Sequence, residues 1–146
     1  MQAFDMVKAW SADTLPGVTP SWITRFELDL QNRKITRQRI SDGQPTDFPT
    51  VDPRGLGRKM RHLYALEAEL GTADPLALKS LVCWDLETLK PTRQKASATE
   101  VFGEMVFAFG QEGTEYMMNL GYDSRRDETF LDVRQPVTLK PVARVW

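Results

Sequence analysis

Cysteine is almost absent from this chain: Cys83 is the only one. One thiol excludes an internal disulfide, and with no CxxC spacing there is no cysteine zinc site. Histidine is equally scarce, with His62 alone in 146 residues. Long apolar runs are missing too. The longest unbroken run is Met105 to Phe109, against the roughly 20 residues a membrane-spanning helix needs, so no transmembrane segment is expected. The opening Met-Gln-Ala-Phe-Asp-Met has neither a basic stretch nor a long apolar core. No secretory leader is expected from it, and a cytoplasmic protein follows. Excess positive charge is also lacking, with 19 Lys plus Arg against 20 Asp plus Glu. That balance excludes a nucleic-acid binder held mainly by phosphate attraction.

What is present is material for a β-rich core. The chain is 41% hydrophobic and 10% aromatic, inside the globular range, and its β-branched and aromatic residues fall in short runs separated by turn chemistry. From Trp22 to Leu30 the alternation puts Trp22, Thr24, Phe26, Leu28 and Leu30 on one face and Arg25, Glu27 and Asp29 on the other. This pattern predicts a half-buried strand. Gln31-Asn32-Arg33 connects to a second strand from Lys34 to Ile40, closed by the polar loop Ser41 to Pro45. Further strands are predicted near Met60–Glu67, Ser80–Leu86, Thr92–Ala98, Glu104–Phe109, Tyr116–Asp123 and Thr129–Arg134. The stretch Tyr64 to Leu70 has helix-favouring Ala and Glu, but Met60, His62 and Tyr64 alternate into it and Gly71 ends it. It reads as strand plus loop.

An internal repeat says more than the strand count. Asp29-Leu30-Gln31-Asn32-Arg33-Lys34-Ile35-Thr36-Arg37-Gln38 returns as Asp85-Leu86-Glu87-Thr88-Leu89-Lys90-Pro91-Thr92-Arg93-Gln94. A weaker third copy, Gly121 to Phe130, keeps the order of apolar strand, Asp, polar turn and returning strand. Repeated antiparallel units of about 40–50 residues are the sequence signature of propeller blades. The repeat units are read as residues 22–47 and 78–104, and the whole of 1–146 as one partial β-propeller. An all-β, antiparallel meander of two to three blades is therefore expected, where a closed propeller has about four to eight.

Several segments together resemble the carotenoid cleavage oxygenases. Glu104 to Phe109, Glu115 to Asp123, Thr129 to Val133 and Pro141 to Val145 are similar to the family's C-terminal series of Gly-Glu-Pro-x-Phe-Val-Pro, Tyr-Asp, Leu-Asp-Ala and Pro-Val-Ala-x-Val. Earlier, Thr24 to Leu30 resembles its Arg-Trp-x-Ile-Asp-Leu strand, and Asp47-Phe48-Pro49-Thr50-Val51-Asp52 its Glu-Phe-Pro-Arg-Ile-Asp motif. Arg61-His62-Leu63-Tyr64 is similar to the Arg-His-Gly-Tyr of the stilbene-cleaving branch. The resemblance implies a segment of a seven-bladed propeller that carries iron(II) on four histidines. Its reaction is the cleavage of a conjugated double bond of a carotenoid, apocarotenoid or stilbene with O2. It further implies that Glu104 and Asp47 stand where family glutamates orient ligand histidines, as a carboxylate does when it accepts the free imidazole N–H. Asp47 departs from the family's Glu by one methylene. None of the four ligand histidines is in this chain, so no cofactor and no oxygenase activity are expected of it alone.

A small non-catalytic β-barrel or interaction domain is the alternative architecture. Ser-His-Asp catalysis through His62 and Asp52 lacks a nucleophile-elbow glycine pattern, and His62 reads as a packed or surface residue. Arg54, Arg58, Lys59 and Arg61 lack the phosphate-loop arrangement and read as a solvated basic loop. Met105, Met117 and Met118 read as core filler, Cys83 as a small buried apolar residue, and Glu67 with Glu69 as solvent-exposed.

Overall fold

The computed structural model describes residues 21–69, 77–111 and 115–146. The opening residues on which the leader expectation rests, and Leu70 and Gly71, lie outside them. The described chain contains ten strands: β1 (Thr24–Asp29), β2 (Lys34–Arg39), β3 (Thr46–Thr50), β4 (His62–Ala68), β5 (Leu78–Asp85), β6 (Lys90–Lys95), β7 (Glu100–Phe109), β8 (Glu115–Asp123), β9 (Glu128–Arg134) and β10 (Pro141–Val145). A 3-10 turn covers Pro53–Gly55. All pairings are antiparallel and join neighbours in sequence. They form a two-stranded ribbon β1-β2, a middle sheet β3-β4-β5-β6 and a last sheet β7-β8-β9-β10. Two four-stranded meanders and half of a third match the expected blade count, and no barrel closes.

The middle sheet explains why β4 and β5 read as nearly continuous apolar runs. Tyr64 and Leu66 on β4 and Leu81 and Cys83 on β5 face the last sheet, where Phe102, Met105, Met117, Phe130 and Leu139 meet them in one buried cluster. On the opposite face Ala65, Val82 and Trp84 form a second cluster with Ile23 and Ile40 from the base of the ribbon. A strand buried on both faces loses the period-2 signal. Burying a side chain the size of Leu66 or Phe130 contributes about 1.5–3 kcal/mol, and both are buried.

The half-buried β1 of the sequence reading is a correction. Phe26, Leu28, Leu30 and Ile35 are 59%, 62%, 84% and 66% exposed. Alternation shows that one face is apolar, but among the described residues no sheet lies over that face. Ile23 and Ile40, joined by an N–H···O bond of 2.8 Å, pack the ribbon's base against the middle sheet.

The sequence repeat is one turn built three times. Asp29 Oδ1 accepts the N–H groups of Gln31 (3.1 Å) and Asn32 (3.0 Å). Asp85 Oδ1 does the same for Glu87 (2.9 Å) and Thr88 (3.0 Å), and Asp123 Oδ1 accepts from Arg125 (3.0 Å). Each turn then passes through a left-handed residue four positions on: Arg33 (φ 51°), Leu89 (φ 55°) and Asp127 (φ 56°). The aspartate thus supplies the local hydrogen bonds that make such a turn favourable. The third copy, however, joins the second and third strands of its sheet, whereas Asp85 joins the third and fourth.

Candidate functional site

Both carboxylates singled out by the sequence stand on the first strand of a four-stranded sheet, at its free edge. They also stand at the same kind of irregularity. In β7, Phe102 pairs Gly121 and Met105 pairs Asn119, so Gly103 and Glu104 together oppose the single residue Leu120. In β3, Asp47 pairs Leu66 and Thr50 pairs Tyr64, so Phe48 and Pro49 together oppose Ala65. Each is a one-residue β-bulge, a device that bends an edge strand and re-aims a side chain. Residue 103 needs to be small, because a Cβ there would lie 3.1 Å from the Leu120 carbonyl oxygen. In β3 the extra residue is absorbed by Phe48 at φ 52° and by Pro49, which has no N–H to leave unpaired.

Glu104 and Asp47 are both exposed, and β3 packs beside β7. Asp47 Oδ1 accepts the Phe48 N–H at 2.8 Å. Glu104 has no hydrogen-bond or ion-pair partner among the described residues. Asp47 lines a groove of about 580 Å3 with Trp22, Phe26, Arg37, Pro49 and Leu63. Behind the two strands the packing is aromatic: Phe107 meets Tyr64 edge-on with centroids 5.2 Å apart and stacks near Phe109 at 6.3 Å.

The other singled-out residues are structural. His62 opens β4 opposite Asp85, half-buried. Met105, Met117 and Cys83 are buried, as read from the sequence. Burial raises the Tyr64 hydroxyl pKa and pushes the Cys83 thiol up to about 11. The basic loop is exposed, with Arg54 held by Asp52 and Glu115 and Arg61 by Asp85 at 3.1 Å. Glu67 corrects the sequence reading: it is buried, because Arg93 clamps it through Nε at 2.6 Å and Nη2 at 2.9 Å. The same guanidinium reaches Asp42, at the ribbon's base, at 2.7 Å.

Sequence reasoning missed a larger ionic cluster at the junction of the middle and last sheets. Asp132 is buried and binds Arg134 and Arg144, the latter through Nε at 2.6 Å and Nη2 at 2.9 Å. Arg144 also reaches Glu100 and lies over the Phe130 ring at 3.8 Å, so its pKa is raised, first by the Asp132 hydrogen bond. Arg134 bonds the Leu139 carbonyl at 3.0 Å while its Nε stays buried without a partner. The only sequence signal was the alternation Asp132, Arg134 along one strand face.

These residues do not by themselves fit an iron site. Among the described residues no three of His, Cys, Asp and Glu come together as metal ligands, and one imidazole is far from a histidine set. No helix among them is long and apolar enough to cross a membrane.

Consecutive antiparallel four-stranded sheets stacked face to face make this a segment of a β-propeller. The chain belongs to the carotenoid cleavage oxygenase family: the family model described as "RPE65: Retinal pigment epithelial membrane protein" matches residues 2–146. The fold is similar to part of an ACO/RPE65 chimera, with TM-score 0.73 at 21% identity over 86% of this chain. It is equally similar to cobalt-substituted Synechocystis ACO, with TM-score 0.72 at 22% identity over 86%. The chain spans 27% of the length of each of those structures. Comparison with curated proteins gives no match.

Proposed function

We propose that this chain is one segment of a non-haem iron(II) dioxygenase that cleaves a conjugated C=C bond of a carotenoid, apocarotenoid or stilbene with O2. In this reading Glu104 and Asp47 accept hydrogen bonds from the outer ring N–H groups of ligand histidines that lie outside the chain. The observation that supports it is the placement of two carboxylates on adjacent edge strands, Glu104 within the one-residue bulge of β7 and Asp47 paired with Leu66 just ahead of the bulge of β3, with Glu104 uncommitted. An ionised carboxylate only accepts hydrogen bonds, and such an acceptor fixes an imidazole's tautomer and orientation and raises its basicity. Asp47, shorter than the family's Glu and already bonded to Phe48, is the weaker of the two. The 146 residues alone hold no iron and cleave nothing. A cytoplasmic location without nucleic-acid binding belongs to the same reading.

The test is iron content and cleavage of apocarotenoid and stilbene substrates by the full native gene product. Glu104→Gln should weaken iron retention by about 10- to 100-fold, with Asp47→Asn milder. Unchanged iron in both variants, or stoichiometric iron bound by the 146-residue chain itself, would overturn the reading.

A further inference from the structure

The connection between β2 and β3 carries a reactive step that the proposed oxygenase chemistry does not use. Asp42 is followed by Gly43, and no other aspartate or asparagine in the chain precedes a glycine. In such a pair the next amide nitrogen can close a ring on the side-chain carboxyl carbon, and the glycine has no Cβ to hinder the approach. Here that approach is open. A Cβ at Gly43, whose φ is 135°, would meet nothing within 4 Å, and among the described residues the Gly43 N–H donates to no acceptor. The Asp42 side chain is 48% exposed. Among the described residues one contact restrains its carboxylate, from Arg93 Nη2 at 2.7 Å. That guanidinium is itself fixed by buried Glu67, through Nε at 2.6 Å and Nη2 at 2.9 Å, so it keeps its place whether or not Asp42 is bound.

We propose that Asp42 is a site of spontaneous isomerisation to isoaspartate, and that Arg93 is the latch that slows it. When the carboxyl leaves Arg93 and turns to Gly43, the Gly43 nitrogen bonds to Asp42 Cγ, and the carboxyl hydroxyl departs with the amide proton as water. Water then reopens the succinimide. Breaking the new bond to Cγ restores aspartate, whereas breaking the bond from the Gly43 nitrogen to the Asp42 main-chain carbonyl carbon leaves isoaspartate, its chain routed through Cγ and one methylene longer. The added length matters because the segment is pinned on both sides. Ser41 is buried, and its Oγ accepts the Ile23 N–H at 3.1 Å. On the other side the Pro45 carbonyl accepts the Ala68 N–H at 2.9 Å, and the Thr46 N–H reaches the Ser21 carbonyl at 3.0 Å. A longer link cannot satisfy both anchors, so isomerisation loosens the ribbon's base from the middle sheet.

The test follows residue 42 while the native gene product stands in warm neutral buffer, read by resistance to an endoprotease that cuts before aspartate but not before isoaspartate. Isoaspartate should accumulate there ahead of every other aspartate. Arg93→Met with Glu67→Leu removes the latch without leaving a buried charge, and should speed the reaction up to about fivefold, the factor an exposed ion pair is worth. Asp42→Glu, which would have to close a larger ring, should stay unmodified. As isoaspartate forms, the Ile40 amide, bonded to the Ile23 carbonyl at 2.8 Å, should exchange deuterium faster through local opening, and in Asp42→Glu the same incubation should leave it unchanged. No isoaspartate at residue 42, equal rates with and without the latch, or an Ile40 amide that exchanges identically before and after would each overturn the proposal. Circular dichroism checks the fold, and Arg93→Lys, a point charge for Glu67 without the fork that reaches Asp42, replaces the double variant if that loses strand signal.

Discussion

Gly121 on β8 and Phe130 on β9 face each other across the strand pair, and the ring covers the glycine so closely that a Cβ at 121 would fall 2.2 Å from Phe130 Cζ. Phe130 cannot retreat easily, because it is buried and flanked by Arg144 and by Trp146, whose ring centroid is 5.5 Å away. Overpacking of this kind costs about 1–3 kcal/mol. Gly121→Ala should therefore lower the urea midpoint, and adding Phe130→Leu should return part of the loss, since contacting sites are not additive.

Asp132 neutralises two guanidinium groups in a place water hardly reaches. Removing its charge leaves Arg134 buried without an anion, which costs about 3–5 kcal/mol. Asp132→Asn is expected to show that loss in chemical denaturation. Replacing Asp132 and Arg134 together by Leu and Met should cost much less, because no uncompensated charge remains.

The turn aspartates give a defined acid response. The Thr88 and Glu87 N–H groups, with Arg61, hold the Asp85 carboxyl down at about 2, while hydrogen bonds from the Asn32 side chain and from the Thr99 hydroxyl, each ahead of the turn N–H groups, lower Asp29 and Asp123. A depressed carboxyl binds fewer protons folded than unfolded, so its contribution is whole above the ordinary value of 3.8 and is lost as pH falls towards 2. Melting temperature should fall across that window, and less steeply in Asp85→Asn.

Cys83 titrates in the opposite direction. Its folded pKa near 11 exceeds the ordinary 9.0, so its contribution is whole below pH 9 and is lost as pH climbs through 11. A buried thiol is also a poor nucleophile. Reaction with a disulfide reagent at pH 8 should be slow in the native chain and immediate in urea. Equal rates would show that the Tyr64–Cys83 layer opens freely.

Strand positions were legible because turn chemistry punctuates this sequence about every ten residues. The strands Thr46–Thr50 and Pro141–Val145 were not, since Pro49, Pro141 and the polar Asp47 argue against ladders that β4 and β9 nevertheless provide. The exposure of Phe26 and Leu28 was equally hidden: a period-2 pattern identifies an apolar face without saying what lies against it. Glu104 and Asp47 were marked by resemblance alone. Their placement within and just ahead of a bulge emerges only from cross-strand register, as does the burial of Glu67, which depends on Arg93 twenty-six positions away.

The middle sheet is the only described sheet with a neighbour on each side. Its backbone amides are therefore shielded by two layers of side chains, those of the last sheet by one, and those of the ribbon tip by none. Deuterium exchange would grade the molecule like rings in a cut stem, with β4 and β5 as heartwood, and whatever settles on either end would move that centre outward.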